Sequence, residues 1–248
     1  MKTGGNTILI TGGGTGIGLA MARAFNELGN DVIICGRRAD RLESAKRAMP
    51  GLHTIRCDIS KEGSRRALYE YVTSNYGKMN MLVNNAGVQR RIDFRNGEQE
   101  LLKGEDEIDV NLKAQIHLAA LFIPVLSKQE ESAIINVSSG LGFVPIAYFP
   151  VYCATKAAIH SFSMSLRHQL RETSIKVFEV IPPGVYDTEL KGKPIDKTDW
   201  TVSSAQVADE TVKGLERDEY EIAVSDIAKS IVASSRKDPE QAFRNVNR

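Results

Sequence analysis

The sequence carries only three cysteines, Cys35, Cys57 and Cys153, and none forms a Cys-x-x-Cys pair. So sparse and odd a set argues against a disulfide framework and reads as reduced thiols in a cytoplasmic protein. An excess of one charge is also missing. Lys and Arg number 32 and Asp and Glu 31, a formal net charge of +1, so no basic field points to nucleic acid or a membrane surface. No apolar run is long enough to span a bilayer, because the longest, around Leu118 to Leu126, contains Pro124. Met1 to Gly5 leads straight into the first strand candidate, and no signal peptide is expected there. The four histidines, His53, His117, His160 and His168, lack metal-ligand company, so structural or surface roles are expected and no metal site. No Ser/Pro-rich linker and no internal repeat divides the chain. What remains is 42% hydrophobic and 25% charged, as suits one globular α/β domain over 1–248.

Apolar, β-branched runs alternate with helical periodicity. Strands are expected near 6–11, 31–35, 53–58, 79–84, 133–138, 175–181 and 220–224. Helices are expected near 16–28, 39–48, 61–76, 105–127, 152–172, 203–216 and 226–235. Such alternation requires crossovers, hence a Rossmann-type, doubly wound parallel sheet of about seven strands with helices on both faces. Two segments stand outside the pattern. Residues 89–104 read as a polar surface loop with part of a helix. Residues 186–201 carry Gly192, Pro194 and alternating charge, and leave the sheet at its carboxyl edge, where ligands bind. A disordered connector and a substrate loop are both consistent with that segment. The charged tail from Arg236 is expected to fray.

Between the first strand and first helix lies Thr11-Gly-Gly-Gly-Thr-Gly-Ile-Gly18. Glycines let a backbone turn tightly and approach a pyrophosphate, and the helix N terminus offers free amides and a positive dipole. Further along, Tyr152 and Lys156 stand four apart in a helical segment and therefore share a face, with Ser139 thirteen residues upstream. A cation beside a phenol favours the phenolate, and a serine hydroxyl can hydrogen-bond a substrate oxygen. The set suits proton transfer to or from a carbonyl or alcohol oxygen.

Together these features resemble the classical short-chain dehydrogenase/reductase family over nearly the whole chain. The glycine segment, Asn84-Asn85-Ala86-Gly87, Asp109-Val-Asn111, Ile134 to Ser139 and Pro183-Gly184 through Thr188 match its signatures in order. Within the family the chain is most similar to the bacterial DltE-like oxidoreductases. The resemblance implies an oxidoreductase moving hydride between a nicotinamide and a small carbonyl or alcohol substrate. Tyr152 would be general acid in reduction and base in oxidation. Lys156 would support its ionised form and bind the nicotinamide ribose. Ser139 would orient the substrate oxygen, and Asn111 would hold a water linking Lys156 to solvent. For Asn111, a buried residue satisfying a helix irregularity is the alternative. Gly12, Thr15, Gly16, Ile17, Gly18, Asp58, Ile59, Asn85, Ala86, Gly87, Pro183, Gly184, Tyr186 and Thr188 would contact the cofactor, with Tyr152 and Lys156. Asp58 could equally cap the following helix.

The second strand ends Cys35-Gly36-Arg37-Arg38, with glycine where enzymes that prefer NAD usually place a carboxylate. Arg37 and Arg38 could bind a 2′-phosphate by charge-assisted hydrogen bonds, so NADP(H) is expected over NAD(H). Thr15, where many such relatives carry a basic residue, departs from that pattern. Phe143, Val144, Phe149, Tyr186, Arg90 and Arg91 are candidates for substrate contact, whereas Cys153 points about 100° from Tyr152 and has no catalytic role. A catalytically silent nucleotide-binding regulator, and a reductase of imines or activated C=C bonds, are the alternative functions. Apolar Ala157, Ala158, Phe162, Met164 and Leu166 on the Tyr152 helix, and the helix near 116–126, are expected to pair between subunits in a homodimer or homotetramer.

Overall fold

The short Ile/Val/Leu runs pair side by side, all parallel, in a seven-stranded sheet ordered β3-β2-β1-β4-β5-β6-β9. A computed structural model gives the fold and describes residues 1–190 and 194–247. The sheet strands are β1 (Thr7–Thr11), β2 (Asp31–Gly36), β3 (His53–Arg56), β4 (Met79–Asn84), β5 (Ser132–Val137), β6 (Ile175–Ile181) and β9 (Glu221–Ala223). A separate two-stranded parallel pair, β7 (Gly184–Val185) with β8 (Thr201–Val202), ties down both ends of the 186–201 segment.

Side chains alternate across each strand, which is why buried strands need apolar residues at successive positions. Ile8 and Ile10 of β1 face one layer with Phe25, Val207 and Leu215, and Leu9 faces the other with Leu68, Leu118 and Phe122. The first layer contains α1 (Gly16–Glu27), α2 (Ala39–Ala48) and α7 (Ser204–Glu216); the second contains α3 (Glu62–Asn75), α5 (Ala114–Leu126) and α6 (Pro150–Gln169). Strand order reverses between β1 and β4, and a crevice opens beyond their carboxyl ends at that switch point.

The polar 89–104 segment folds into a 3₁₀ turn, Phe94–Asn96, and a short helix, α4 (Glu98–Leu102). The helix expected near 105–127 contains a π-helical turn, Asp109–Lys113, before α5. Its stretch Asp109–Leu126 is long and apolar enough to cross a membrane by length and composition, at mean hydropathy 1.2. Here it is a core helix, with Leu118, Ala119, Phe122 and Leu126 buried against the sheet.

The expected frayed tail needs correction. After α8 (Ser225–Lys237) the chain forms α9 (Pro239–Val246). The Asp238 side chain caps it by accepting from the Gln241 amide at 2.9 Å, and Pro239 occupies the first turn, where a missing N–H costs nothing. Asn247 then pins the end: its Oδ1 accepts from the Ala147 amide at 2.6 Å and its Nδ2 donates to the Pro145 carbonyl at 3.0 Å.

Candidate active site

Gly12 turns the chain out of β1 at φ +66°, and a Cβ there would lie 2.9 Å from the Ala86 Cα. Only glycine permits that conformation together with so close an approach. The turn is locked to the Asn-Asn-Ala-Gly strand end through Thr11. Its Oγ1 accepts from the Asn85 and Ala86 amides at 3.0 and 3.1 Å, and its carbonyl accepts from Asn85 Nδ2 at 2.9 Å. The sequence reading gave Thr11 no role, although a polar residue closing an apolar strand was the available signal. Thr15 stands at the N-cap of α1, but its side chain makes no capping hydrogen bond to the helix amides, and no acidic residue stands in the first helical turn. That leaves an electropositive helix end with open amides beside the glycine turn, a cradle of the shape and polarity that a pyrophosphate needs.

The cleft over this cradle has a volume of about 970 Å³. It is lined by Gly12, Thr15, Gly16, Ile17, Arg37, Arg38, Asp58, Ile59, Asn85, Ala86, Gly87, Ser139, Tyr152, Lys156, Pro183, Gly184 and Thr188. Of the expected cofactor contacts, Gly18 and Tyr186 do not line it. Gly18 is a packing residue, since a Cβ there would fall 2.5 Å from both the Gly12 carbonyl oxygen and Asn85 Nδ2. The Tyr186 amide donates to the Val202 carbonyl and its own carbonyl accepts from the Ile195 amide, both at 3.1 Å. With its backbone engaged in the loop and its ring 5.6 Å from Lys197 Nζ, Tyr186 neither offers the expected backbone contact nor narrows the cleft.

The catalytic candidates come from three elements. Ser139 follows β5, Tyr152 and Lys156 share a face of α6, and Asn111 sits in the π-helical turn. All four are buried. Burial pushes the Tyr152 phenol well above its ordinary range, with the Ser139 hydroxyl opposing the shift. Burial also lowers Lys156 to about 8, with the Glu179 carboxylate opposing it. The expected cationic support of the phenolate is therefore corrected in this arrangement. Lys156 Nζ donates to the Val137 carbonyl at 2.8 Å and stands 5.6 Å from the Tyr152 ring centre, so desolvation dominates both groups. Asn111 reaches the cluster indirectly. Its Oδ1 accepts from the Val88 amide at 2.8 Å, and its Nδ2 donates to the Val88 carbonyl at 2.8 Å and Thr155 Oγ1 at 3.2 Å. Its carboxamide clamps the strand end to α6, rather than satisfying the backbone of its own helical turn.

Glu179 is a further residue missed in sequence. It is buried on β6, its Oε1 accepts from Ser138 Oγ at 2.5 Å, and its Oε2 pairs with His160 Nδ1 at 2.8 Å. His160 thus has acidic company after all: ligand atoms of His160, Glu179 and Glu221 lie within 4.8 Å of one another. Glu221 also accepts from Arg236, so the cluster is knit as an ion-pair network behind the Lys156 helix.

At the other end of the cleft, Arg37 makes a two-pronged pair with Glu105 at 2.7 and 2.9 Å. Arg38 and Arg41 share Glu189, at 2.9 and 3.0 Å, and Arg38 also donates to Thr15 Oγ1 at 3.0 Å. Asp58 accepts from the Ser60 amide and hydroxyl at 3.0 and 2.8 Å, the local capping role, while still lining the cleft. Of the substrate candidates, Val144, Phe149 and Arg90 line the cleft. Phe143 instead packs on His160 with ring centres 4.4 Å apart, and Arg91 stacks on Tyr148 at 4.2 Å.

A glycine turn at the switch point of a doubly wound sheet, facing a buried Ser-Tyr-Lys cluster, defines a nucleotide-dependent oxidoreductase site. The family profile described as short chain dehydrogenase matches residues 6–199, and the chain belongs to that family. It is 48% identical to a Bacillus subtilis (strain 168) protein described as uncharacterized oxidoreductase DltE, over 250 aligned positions covering 100% of this chain and 98% of that one. Among solved structures it is similar to a short chain dehydrogenase from Burkholderia cenocepacia J2315 in complex with NADP, at TM-score 0.82 and 23% identity, covering 99% of both chains. It is also similar to a short chain dehydrogenase/reductase from Burkholderia phymatum in complex with NAD, at TM-score 0.81 and 22% identity, covering 100% of this chain and 97% of that one. These two likenesses describe the fold.

Proposed function

We propose that the chain interconverts a carbonyl compound and an alcohol with NADP(H) as preferred cofactor. The observation that carries this reading is the convergence of Ser139, Tyr152 and Lys156 in the cleft that also holds the glycine cradle. When bound, the nicotinamide supplies or takes the hydride. Gly12, Thr15, Gly16 and Ile17 would hold the pyrophosphate, Asp58 and Ile59 the adenine side, and Asn85 to Gly87 with Pro183, Gly184 and Thr188 the nicotinamide half. Ser139 holds the substrate oxygen, and Tyr152 gives that oxygen a proton in reduction or removes it in oxidation. Lys156 would hold the ribose and resupply the proton, and Asn111 keeps the relay geometry by clamping Val88 and Thr155. The segment 186–201 forms one wall of the substrate site, since Leu190, Ile195 and Trp200 line the cleft. Gly192 and its neighbours at 191 and 193 lie outside the described residues. A screen of carbonyl and alcohol compounds, run separately with NADPH and NADH, tests the reading; no turnover of any compound with either cofactor overturns it.

The protonation states set a direction. A phenol held above its ordinary range keeps its proton at neutral pH and is ready as an acid. Lys156, lowered to about 8, loses its charge as pH rises through that value. Reductive kcat/KM is therefore expected to fall above about pH 8, approaching tenfold per pH unit, in initial-rate pH profiles. A profile flat to pH 10 contradicts this.

The same reading includes a homodimer or homotetramer formed through α5 and α6. Ile116 and Met164 on these helices are exposed, as is the small Ala157. Nearby, Phe94, Ile108, Pro150 and Val151 line a shallow apolar groove. Contiguous apolar surface of this kind is characteristic of an interface. Light scattering is expected to give two or four chain masses, and a monomer at working concentration defeats the assembly.

A further inference from the structure

The cleft differs in character between its two ends. Its charged side chains already have partners within the chain. Arg37 is held by Glu105, Arg38 and Arg41 by Glu189, Asp58 by Ser60, and Lys156 by the Val137 carbonyl. Arg90 donates through both Nη atoms to the Leu101 carbonyl at 3.3 Å, and its Nε lies 3.7 Å from the buried Glu107 carboxylate. The arginines that could be freed stand at the rim with Gly36, at the end of β2. Away from those arginines the lining is mostly apolar, with Gln89 and Arg90 among its polar members, and the apolar part comes from the segment after Ser139, the loop and the last two helices. Val144, Ile146 and Phe149 follow Ser139; Ile195 and Trp200 come from the loop; Ile231 and Val246 come from α8 and α9. Two of them pack against residues that flank the site. A methyl built on Gly140, the residue after Ser139, would lie 3.2 Å from Ile231 Cδ1, and one on Gly184 would lie 4.0 Å from Ile195 Cδ1.

Two of these residues are unusual for their exposure. Trp200 is 73% exposed and Val246 is 47% exposed, yet both line the cleft. An apolar ligand would cover them, and a charged one would lose water without gaining a partner. Val246 is not held by chance. Asn247 fixes it against the 145–147 segment through hydrogen bonds to the Ala147 amide and Pro145 carbonyl.

We propose that the substrate is an uncharged aldehyde or ketone with an extended hydrocarbon part, and that Val246, pinned through Asn247, forms a wall limiting the length of that part. The proposal rests on the oxidoreductase reading of the cleft. Reduction of such a compound adds a hydride to the carbonyl carbon and a proton from Tyr152 to its oxygen, giving the alcohol and the oxidised cofactor. Carboxylate- or phosphate-bearing carbonyl compounds are disfavoured in the same chamber, because Arg90, a charged residue of its lining, is already engaged by the Leu101 carbonyl and the buried Glu107.

Trp200 is the single tryptophan of the chain, so its emission reports on occupancy without any turnover. The experiment titrates the full-length protein with straight-chain 2-alkanones from butanone to 2-dodecanone, and with the corresponding terminal keto acids. Affinity for the ketones is expected to rise about fourfold per methylene and then stop rising at a definite length, while the keto acids bind at least tenfold more weakly than ketones of equal length. In Val246→Phe, which keeps Trp200 as the single tryptophan, the rise is expected to stop at a shorter chain, and in Asn247→Ala the limit should blur or move outward. The wild-type series decides the question even where a variant fails to fold. Equal or tighter keto-acid binding, or affinity independent of chain length, overturns the substrate class; an unchanged limit in folded Val246→Phe overturns the wall. Length-dependent binding without turnover of any ketone would sink the oxidoreductase reading and leave the chamber standing. Turnover of charged carbonyl compounds alone would do the reverse.

Discussion

Tyr152→Phe is expected to lower turnover by about 10²-fold or more on any carbonyl compound that the wild-type protein reduces. The substitution removes one oxygen from a buried ring and leaves its packing volume unchanged. The helix survives it, because the local contact to Thr155 Oγ1 is made by the Tyr152 main-chain carbonyl, at 2.7 Å. What disappears is the proton that must reach the substrate oxygen as hydride arrives at carbon. Ser139 cannot replace it, since an aliphatic hydroxyl is a much weaker acid than a phenol and serves to orient the oxygen. Cofactor affinity should change little, as Lys156, the glycine cradle and the rim arginines are untouched. Rates under saturating cofactor, a separate cofactor titration and a thermal melt together separate lost chemistry from lost folding. Near-normal turnover in the folded variant removes the acid/base assignment.

Much of this site was visible in the sequence because its parts are local. The glycine turn, the Asn-Asn-Ala-Gly strand end and the Tyr-Lys helix face each lie within a few residues, and buried parallel strands announce themselves as uninterrupted apolar runs. What was hidden depends on distance. Arg37 meets Glu105 from 68 residues away, and Arg38 meets Glu189 from 151, so their pairing left no local trace. Glu179 looks like a solvent-facing residue in a strand until β6 is placed inside the sheet, where Ser138 and His160 satisfy it. The π-helical turn at Asn111 was concealed because one slipped hydrogen-bond register leaves the apolar pattern of a helix almost intact. The last helix was misread for its charge. Asp238-Pro239 is a start signal, and Ala242 and Val246 mark one face, but the surrounding charged residues outweighed them.

NADPH is expected to bind more tightly than NADH, with Arg38 carrying more of the difference than Arg37. The guanidinium groups of Arg37, Arg38 and Arg41 stand at the end of β2 among the carboxylates of Glu105, Glu189, Asp58 and Asp40, and they are not equally available. Arg37 is neutralised by Glu105 in a two-pronged pair, and that carboxylate raises its affinity for its own proton. Arg38 and Arg41 share Glu189, but Arg41 also has Asp40 at 3.8 Å, so Arg38, beside Thr15, is the one with no carboxylate of its own. Exposed ion pairs of this kind contribute only about 0–1 kcal/mol, so a phosphate bearing about −1.5 to −2 charges can displace Glu189. Removing one charged hydrogen bond should cost about 1.5–3 kcal/mol, a ten- to hundredfold loss, for NADPH in Arg38→Ala and much less for NADH. The Arg37→Ala loss should be smaller. Glu189→Gln should act in the opposite sense and tighten NADPH a few-fold, because the arginines no longer have a competing carboxylate. Titration of both reduced cofactors against wild type and the three variants measures all of these. Equal affinities in the wild type, or a preference that neither arginine substitution alters, defeats the assignment. A Glu189→Gln variant that binds NADPH more weakly would show instead that the carboxylate positions the arginines rather than occupying the phosphate's place.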